Sequence, residues 1–541
     1  MSKTFAEALA SWADLLGAEY VIDAGDQLDA ASTSTFATHQ QVTAILRPGS
    51  RAEVQQCVRI ARRFSVPVYP ISSGRNWGYG SRVPARNGVL LDLGRLNRIV
   101  DFDEDLAYVT VEPGVTQRHL YEFLRARGSR LWMDTTGASP ECSIVGNTLE
   151  RGFGHTPMGD HAGQACGLEV VLPDGSVIET GFGRFRDSAV TALHQSGVGP
   201  SLDGLFMQSN LGIVTRMSVW LMPAPEHFEA FFFLSRRPSG LGPIVEALRA
   251  LRLDGTLRSV MHIGNDYKVL AGSGQFPWNE TGERTPLSRD VMDRISRRMG
   301  IGAWNGSGGL YGTPRQVREA KRRLKQALAG NVNRLQFVDD RRLALLRRFA
   351  GPARWLTGWD VKSTLAVLDP VYHLLKGVPT DAPLASAYWR KRTNVPARPD
   401  PDRDGCGLLW CSPVVPSTGR HLAEVTNLAE AIVLEHGFEP QMSVSLAKER
   451  SAICVITISY DREVAGEDAR ALKCYRQLAE TLVERGYPPY RLNIGAMDLM
   501  GSDTAYDAVL AALRAALDPH GILAPGRYEP ERPADLVRLR A

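Results

Sequence analysis

Between residues 40 and 115 the apolar positions switch between a helical and a strand spacing. Val42–Leu46 is a short apolar run. Arg51–Phe64 puts Val54, Cys57, Val58 and Ile60–Ala61 on or near one face, which predicts an amphipathic helix. Val66–Pro70, Gly88–Leu93 and Tyr108–Val111 read as strands, with a polar turn at Asp101–Leu106. Glu112-Pro113-Gly114-Val115 opens a helix through Phe123. Cys166–Leu172 and Ser176–Thr180 flank Pro173-Asp174-Gly175, a hairpin signal, and Met217–Leu221 is a further strand. After Pro223-Ala224-Pro225 the texture changes. Longer helical periods at 243–252, 314–329, 419–436 and 466–485 are interleaved with strand candidates at 229–234 and 452–459. An Ala/Leu-rich helix over 503–518 stops at Asp518-Pro519-His520-Gly521. The pattern predicts an α+β chain divided at 1–225, 226–495 and 496–541.

Length supports that division, since 541 residues are too many for one core. Apolar residues at 44% and charged residues at 23% are ordinary for a globular protein. The net charge of +4, from 63 basic and 59 acidic residues, gives no case for nucleic acid or a membrane surface as partner. Basic clusters such as Lys321-Arg322-Arg323 fall in helical segments and read as solvated faces. The seven cysteines are scattered without CxxC spacing, so neither a disulfide framework nor a metal site is expected. The amphipathic N-terminus lacks a signal-peptide core, and no run approaches a membrane span; a cytoplasmic enzyme is the expectation.

The chemistry concentrates in two small-residue stretches. Pro70–Pro84 places Ser72, Ser73, Gly74, Asn76, Gly78 and Gly80 just after a strand candidate. Such residues let the backbone turn tightly and present its N–H groups to an anion, as a pyrophosphate needs. This segment alone fits a surface loop equally well. The second stretch runs from Thr135 to His155, and long irregular runs of that kind usually bind something. With the turn Gly212–Thr215 these supply enough donors for a dinucleotide. No GxGxxG follows a first strand, which disfavours a Rossmann site.

The chain resembles the vanillyl-alcohol oxidase and p-cresol methylhydroxylase flavoproteins. The likeness runs through PISSGRNWGYG at 70–80, VEPGVT at 111–116, SIVGNTLERGFGHTPMGDH at 143–161 and CGLEVVLPDGSVIETG at 166–181. It continues in DGLFMQSNLGIVTRMSVWLMP at 203–223, PPYRLNIGAMD at 488–498 and DPHGILAPGR at 518–527. The resemblance implies an FAD-binding domain built from both chain ends, around a cap domain that shapes the substrate site. It assigns cofactor contacts to Ser72, Ser73, Gly74, Arg75, Asn76, Gly78 and Gly80. It adds Pro113, Gly114, Thr136, Gly137, Ser143, Gly146, Asn147, Gly152, Gly212, Ile213, Val214 and Arg527. It also implies that Tyr79, Tyr490 and Arg491 grip the oxygen of a para-substituted phenol. A phenol with a pKa of about 10 is acidified by an adjacent guanidinium and phenolic donors, and its phenolate eases hydride loss from the benzylic carbon. The product would be a p-quinone methide, which takes up water or loses a proton. Trp389 and Trp410, in AYWRK and LLWCSP, are candidate cavity walls, although aromatic strand residues are more often core.

Three departures from the family pattern bear on mechanism. The cap segment that carries a flavin-linking His or Tyr in several relatives is Ser445–Cys454 here and has neither; Ser32–Ser34 likewise lacks the assisting His, with His39 the nearest. Noncovalent FAD is therefore expected. The Asp that several oxidases place before the GNT motif aligns nearest Ala138, with Glu141 close enough to supply a carboxylate if the loop differs. His155 stands where relatives carry Tyr and is a candidate acid or base. The expected activity is oxidation of para-substituted phenols with oxygen as acceptor, in a homodimer by analogy. The alternatives are a dehydrogenase serving a cytochrome or other acceptor, an oxidase of a bulkier phenolic or hydroxy substrate, and a flavin-binding protein without catalysis.

Overall fold

A computed structural model describes residues 3–349, 361–501 and 505–529. The amphipathic segment at 51–64 is a helix over Arg51–Phe64. Ser50 caps it by accepting from the Glu53 backbone N–H, and Ser65 closes it in the left-handed region. Its Val54, Cys57, Val58 and Ala61 pack with Val68, Val89 and Leu91. These last belong to a four-stranded sheet ordered Val21–Ile22, Val42–Leu46, Gly88–Asp92, Val68–Ile71, of which the last three strands run parallel. The far end of the chain joins this sheet. Val68 donates its N–H to Ile522 O at 2.8 Å, and Ala524 donates back to Val68 O at 2.9 Å.

A second sheet is antiparallel, ordered Ile99–Asp103, Tyr108–Val111, Ile213–Trp220, Ala165–Val171, Val177–Glu179. Part of the turn expected at Asp101–Leu106 is thus a strand. Ile99–Asp103 is an edge strand with Val100 and Asp101 exposed, so polar residues cost it nothing. The helix expected to open at Glu112 begins at Gln117 and runs to Ala126. Thr116 caps it, and Gly114 is held against Leu96 O at 2.6 Å.

Among the described residues, all strands between His227 and Asp461 form one antiparallel sheet of eight. Seven follow in the order Arg334–Val338, His227–Ser235, Trp304–Gly312, Met261–Asn265, Gln441–Leu446, Ser451–Asp461, Cys406–Cys411, and Val414–Pro416 pairs with Ser451–Asp461. Helices Leu241–Leu253, Pro314–Leu328, Gly419–Glu435 and Glu467–Glu484 cover one face. Side chains alternate along a strand. Met261, Ile263, Met442, Val444, Cys454, Ile456, Leu409 and Cys411 therefore point into that helical core. Their neighbours His262, Ser443, Ser445, Val455 and Trp410 are left for the opposite face, where they line a cavity. All seven cysteines are buried free thiols, and no helix among the described residues is long and apolar enough to cross a membrane.

Candidate active site

The uncovered face of the eight-stranded sheet forms one wall of a cavity, and the two small-residue stretches form the other. Pro70-Ile71 leads from the sheet into Ser72–Asn76, and Gly74 adopts φ +68°, open to glycine without strain. The stretches interlock. Ser143 donates its N–H to Ser73 Oγ at 3.1 Å, and Gly146 passes so close to Ser72 that a Cβ there would sit 2.4 Å from its Oγ. Pro113, Thr136, Gly137, Ser143, Asn147, Gly152, Gly212, Ile213, Val214 and Arg527 face the same space. Donors dominate this wall: backbone amides, serine hydroxyls, the amides of Asn76 and Asn147, and the Arg527 guanidinium. Arg75 spends its charge on Asp400 at 2.5 Å. A cradle rich in donors, with its carboxylate Glu150 already engaged by arginines, fits a pyrophosphate-bearing dinucleotide.

Tyr79, Tyr490 and Arg491 converge at one end of the cavity. Tyr79 is buried, its hydroxyl 2.8 Å from Ser412 Oγ, and the Arg491 guanidinium lies 4.3 Å from its ring centroid. Tyr490 donates its N–H to Ser412 O at 3.1 Å, and its hydroxyl interacts with Tyr79 and Arg491. Ser412 thus positions both tyrosines. Burial pushes the Tyr79 phenol well above its ordinary pKa, with Tyr490 adding to this and Arg491 opposing it. Burial raises Tyr490 as well, against Arg491. Both rings stay neutral and can donate. Arg491 binds Glu150 through Nε at 3.0 Å and reaches Asn76 Oδ1; Arg527 binds the same carboxylate, and Tyr528 donates to it at 2.8 Å. Two guanidinium groups share one carboxylate, so these three side chains carry a net charge of one.

Phe153 spans from Tyr490 at 6.1 Å to His262 at 6.2 Å, and His262 lies 4.3 Å from His155, ring centroid to centroid. Carbonyls only accept. His155 Nδ1 therefore carries its proton toward Thr135 O at 3.0 Å, leaving Nε2 able to accept. His262 donates from Nε2 to Gly154 O at 3.2 Å and accepts at Nδ1 from Ser445 at 3.0 Å. Burial lowers the pKa of both rings, that of His262 to about 3 with His155 contributing, so both are neutral at pH 7. Beneath them Asp134 accepts from the backbone N–H of His155 and of Thr156, and pairs with His161 at 2.6 Å. Burial opposes its charge, but the His161 contact holds its carboxyl below the usual range.

Five expected residues lie elsewhere. Glu141 is outside the cavity in an exposed ion pair with Arg118 at 2.5 Å, because the loop turns it outward to the helix Gln117–Ala126. Trp389 is fully buried beside Phe276 and donates to Glu439 at 2.9 Å, a carboxylate that also binds Arg390 at 2.7 Å; its segment is a core device. Gly78 and Gly80, at φ +76° and +118°, let Trp410 and Ile494 lie against the loop backbone. Gly114 fits against Gly94 O, where a Cβ would fall at 2.3 Å. Trp410 does line the cavity, edge-on to Tyr79 at 5.7 Å, and His39 is exposed away from it. Ser412, Glu150, His262 and Lys268 were not legible beforehand. The alternation of Met261–Asn265 could have turned His262 to the cavity, but nothing local marks Lys268.

Residues 42–181 match the model of a family described as an FAD binding domain. The chain is 44% identical to the 1'-carboxy-chondrochloren decarboxylase of Chondromyces crocatus, over 96% of this chain and 97% of that protein. It is 30% identical to the 4-cresol dehydrogenase [hydroxylating] flavoprotein subunit of Pseudomonas putida, over 97% and 95%. The solved structure of p-cresol methylhydroxylase with substrate bound superposes with a TM-score of 0.87 at 28% identity, covering 98% of each chain. That of the 4-ethylphenol oxidase of Gulosibacter chungangensis, in complex with isoeugenol, gives 0.88 at 29%, again over 98% of each. The fold and cradle define an FAD-dependent oxidoreductase. The chain belongs to the p-cresol methylhydroxylase and vanillyl-alcohol oxidase flavoprotein family.

Proposed function

We propose that this protein oxidises para-substituted phenols at the benzylic carbon, with the substrate held as its phenolate. The convergence of Tyr79, Tyr490 and the Arg491 guanidinium supports this reading. A phenol placed there gives up its proton more readily, because its anion gains two neutral hydroxyl donors and a guanidinium. Phenolate electrons then flow toward the para substituent, and the benzylic C–H bond breaks with its electron pair leaving carbon. Bound FAD supplies the two-electron acceptor. The organic product is a p-quinone methide. Water adding to it gives an alcohol, and loss of a proton gives an alkene. His155, neutral and with no hydrogen-bond partner at Nε2 among the described residues, can accept a proton there in place of the carboxylate that Ala138 lacks.

The 44% identity to a decarboxylase favours a further fate of the quinone methide. Where the carbon next to the benzylic one carries a carboxylate, the bond to that carboxylate can break. Its electron pair forms the C=C bond, the ring regains its aromatic phenolate, and carbon dioxide leaves. We take FAD to be held noncovalently, since Ser443, Ser445 and Val455 are what the relevant strands offer the cavity. Molecular oxygen is the acceptor in this reading, a protein acceptor the alternative, and a cytoplasmic homodimer the working form. The test is anaerobic mixing of holoenzyme with 4-alkylphenols and with 3-(4-hydroxyphenyl)propionate, following flavin absorbance and released carbon dioxide. Bleaching by phenols but not by their O-methyl ethers is expected. Carbon dioxide and 4-vinylphenol from the acid would establish decarboxylation, while no bleaching by any phenol would sink the proposal.

A further inference from the structure

One cation in the cavity wall has no part in phenolate recognition. Lys268 lies in the first turn of the helix Asp266–Ser273 and lines the cavity. Its backbone is pinned. Asn265 caps the helix by accepting from the Lys268 N–H at 3.0 Å, and is itself tied to Pro440 O at 2.7 Å and to the Met442 N–H at 3.1 Å. The aliphatic stem runs past Gly264, where a Cβ would lie 3.5 Å from Lys268 Cγ. The ammonium ends 3.5 Å from Ser386 Oγ, its one hydrogen-bond partner among the described residues. Ser386 in turn donates to Pro383 O at 3.0 Å, and Pro383 approaches Gly137 beside His155, so this spot adjoins the histidine wall.

An ammonium held largely away from water without a counterion is costly, and the buried cations among the described residues are paired. Arg390 meets Glu439 at 2.7 Å, Lys391 meets Asp461 at 2.9 Å, Arg252 meets Glu449 at 3.2 Å and Arg514 meets Asp518 at 3.4 Å. Among the described residues no carboxylate pairs with Lys268. We infer that Lys268 receives a carboxylate of the substrate, which makes the substrate a 4-hydroxyphenyl compound with a carboxylate near its benzylic carbon. The inference rests on the phenol reading and deepens it. It gives the cavity two anion-binding points: the positively charged end at Arg491 for the phenolate, and Lys268 for the carboxylate. A single ammonium holds a carboxylate less rigidly than an arginine fork would, so the group can still leave as carbon dioxide. Burial lowers the Lys268 pKa to about 8, the behaviour of an ammonium that lacks its partner until ligand arrives.

The test uses holoenzyme and a ligand that cannot react, 3-(4-hydroxyphenyl)-3-methylbutanoate, whose benzylic carbon bears no hydrogen. Its primary amide is the uncharged twin. Dissociation constants come from the perturbation of the bound flavin's visible spectrum at pH 7. Wild type should bind the acid at least about tenfold more tightly than the amide. Lys268→Met and Lys268→Gln should erase that preference while leaving the amide within about threefold of wild type, and Lys268→Arg should keep it. Equal binding of acid and amide by wild type, or a preference that survives in Lys268→Met and Lys268→Gln, overturns the inference. Failure of wild type to bind either ligand overturns the phenol reading and this inference with it. Flavin content of each variant, measured beforehand, separates lost recognition from lost folding.

Discussion

At the scale of single residues, the decisive quantity is the charge left at the tyrosine end of the cavity. Arg491 and Arg527 both bind Glu150, and Tyr79 and Tyr490 are neutral, so these side chains together carry a net charge of one, with Arg491 the cation nearest the tyrosines where the proposed reaction would place a phenolate. Removing Arg491 leaves Glu150 paired with Arg527 alone and the net charge at zero. Arg491→Met should slow anaerobic flavin reduction by a 4-alkylphenol by about 100-fold or more, the usual cost of deleting one preorganised charge. The rate should recover as pH rises toward the phenol's own pKa, because bulk base then makes the phenolate that the protein no longer stabilises. Arg491→Lys should restore part of the loss at neutral pH. A uniform slowing that ignores pH would assign Arg491 a merely structural role. The convergence of these three residues was legible through the resemblance carried by PISSGRNWGYG and PPYRLNIGAMD. Lys268 and Ser412 were not. Lys268 stands in an unremarkable helix, and the meaning of Ser412 comes from two tyrosines that approach it from 333 residues before and 78 after.

At the scale of elements, period-2 alternation in the eight-stranded sheet decides what the site contains. The same strands send Met261, Ile263, Met442 and Val444 into helices and His262, Ser443 and Ser445 into the cavity. Met261–Asn265 and Gln441–Leu446 were not among the strands expected from the sequence, and one sequence cannot say what covers each face of a strand. Trp389 shows the limit: it looks like a lining aromatic, yet its indole N–H and Arg390 share Glu439 inside the core. The glycine loop has a comparable buried support. Asp402 accepts from Trp77 at 3.2 Å and from Ser81 at 2.6 Å, holding both ends of Trp77–Ser81, and burial raises its pKa to about 7. The folded protein keeps a proton there that the unfolded chain releases near pH 4. Its contribution to stability is therefore full below pH 4 and is lost as pH rises through 7. Asp402→Asn keeps acceptor and donor atoms without the buried charge. Its melting temperature should exceed that of wild type at pH 8, corresponding to about 4 kcal/mol in free energy at most, and the excess should shrink to a minor fraction of that at pH 5. A difference equal at both pH values would show that Asp402 does not titrate in this window.

At the scale of the whole molecule, the cofactor cradle closes the chain on itself. Its walls come from residues 71–76, 136–152 and 212–214 at one end of the sequence and from Ala524 and Arg527 at the other. The C-terminal segment reaches it by pairing Ile522 and Ala524 with Val68, the strand that feeds the glycine loop, while Arg514 donates to Leu523 O at 3.1 Å. Glu150 carries the closure into the site, because it binds Arg527 from the chain's end and Arg491 from the tyrosine cluster. A ligand that binds only this closed arrangement stabilises it by mass action, by about 4 kcal/mol at a thousandfold excess over its dissociation constant. Acid precipitation should release the flavin into solution, as noncovalent binding requires. The apoprotein, neutralised, should melt several degrees lower than holoenzyme and be cut by protease first within its last 40 residues or so, where pairing to Val68 has loosened. Adding FAD should restore both melting temperature and protection together. Flavin that stays on the precipitated protein would refute noncovalent attachment. Restored melting without restored protection of the C-terminal segment would mean that FAD reads the N-terminal loops alone, and that the chain's two ends meet for reasons of folding rather than of cofactor binding.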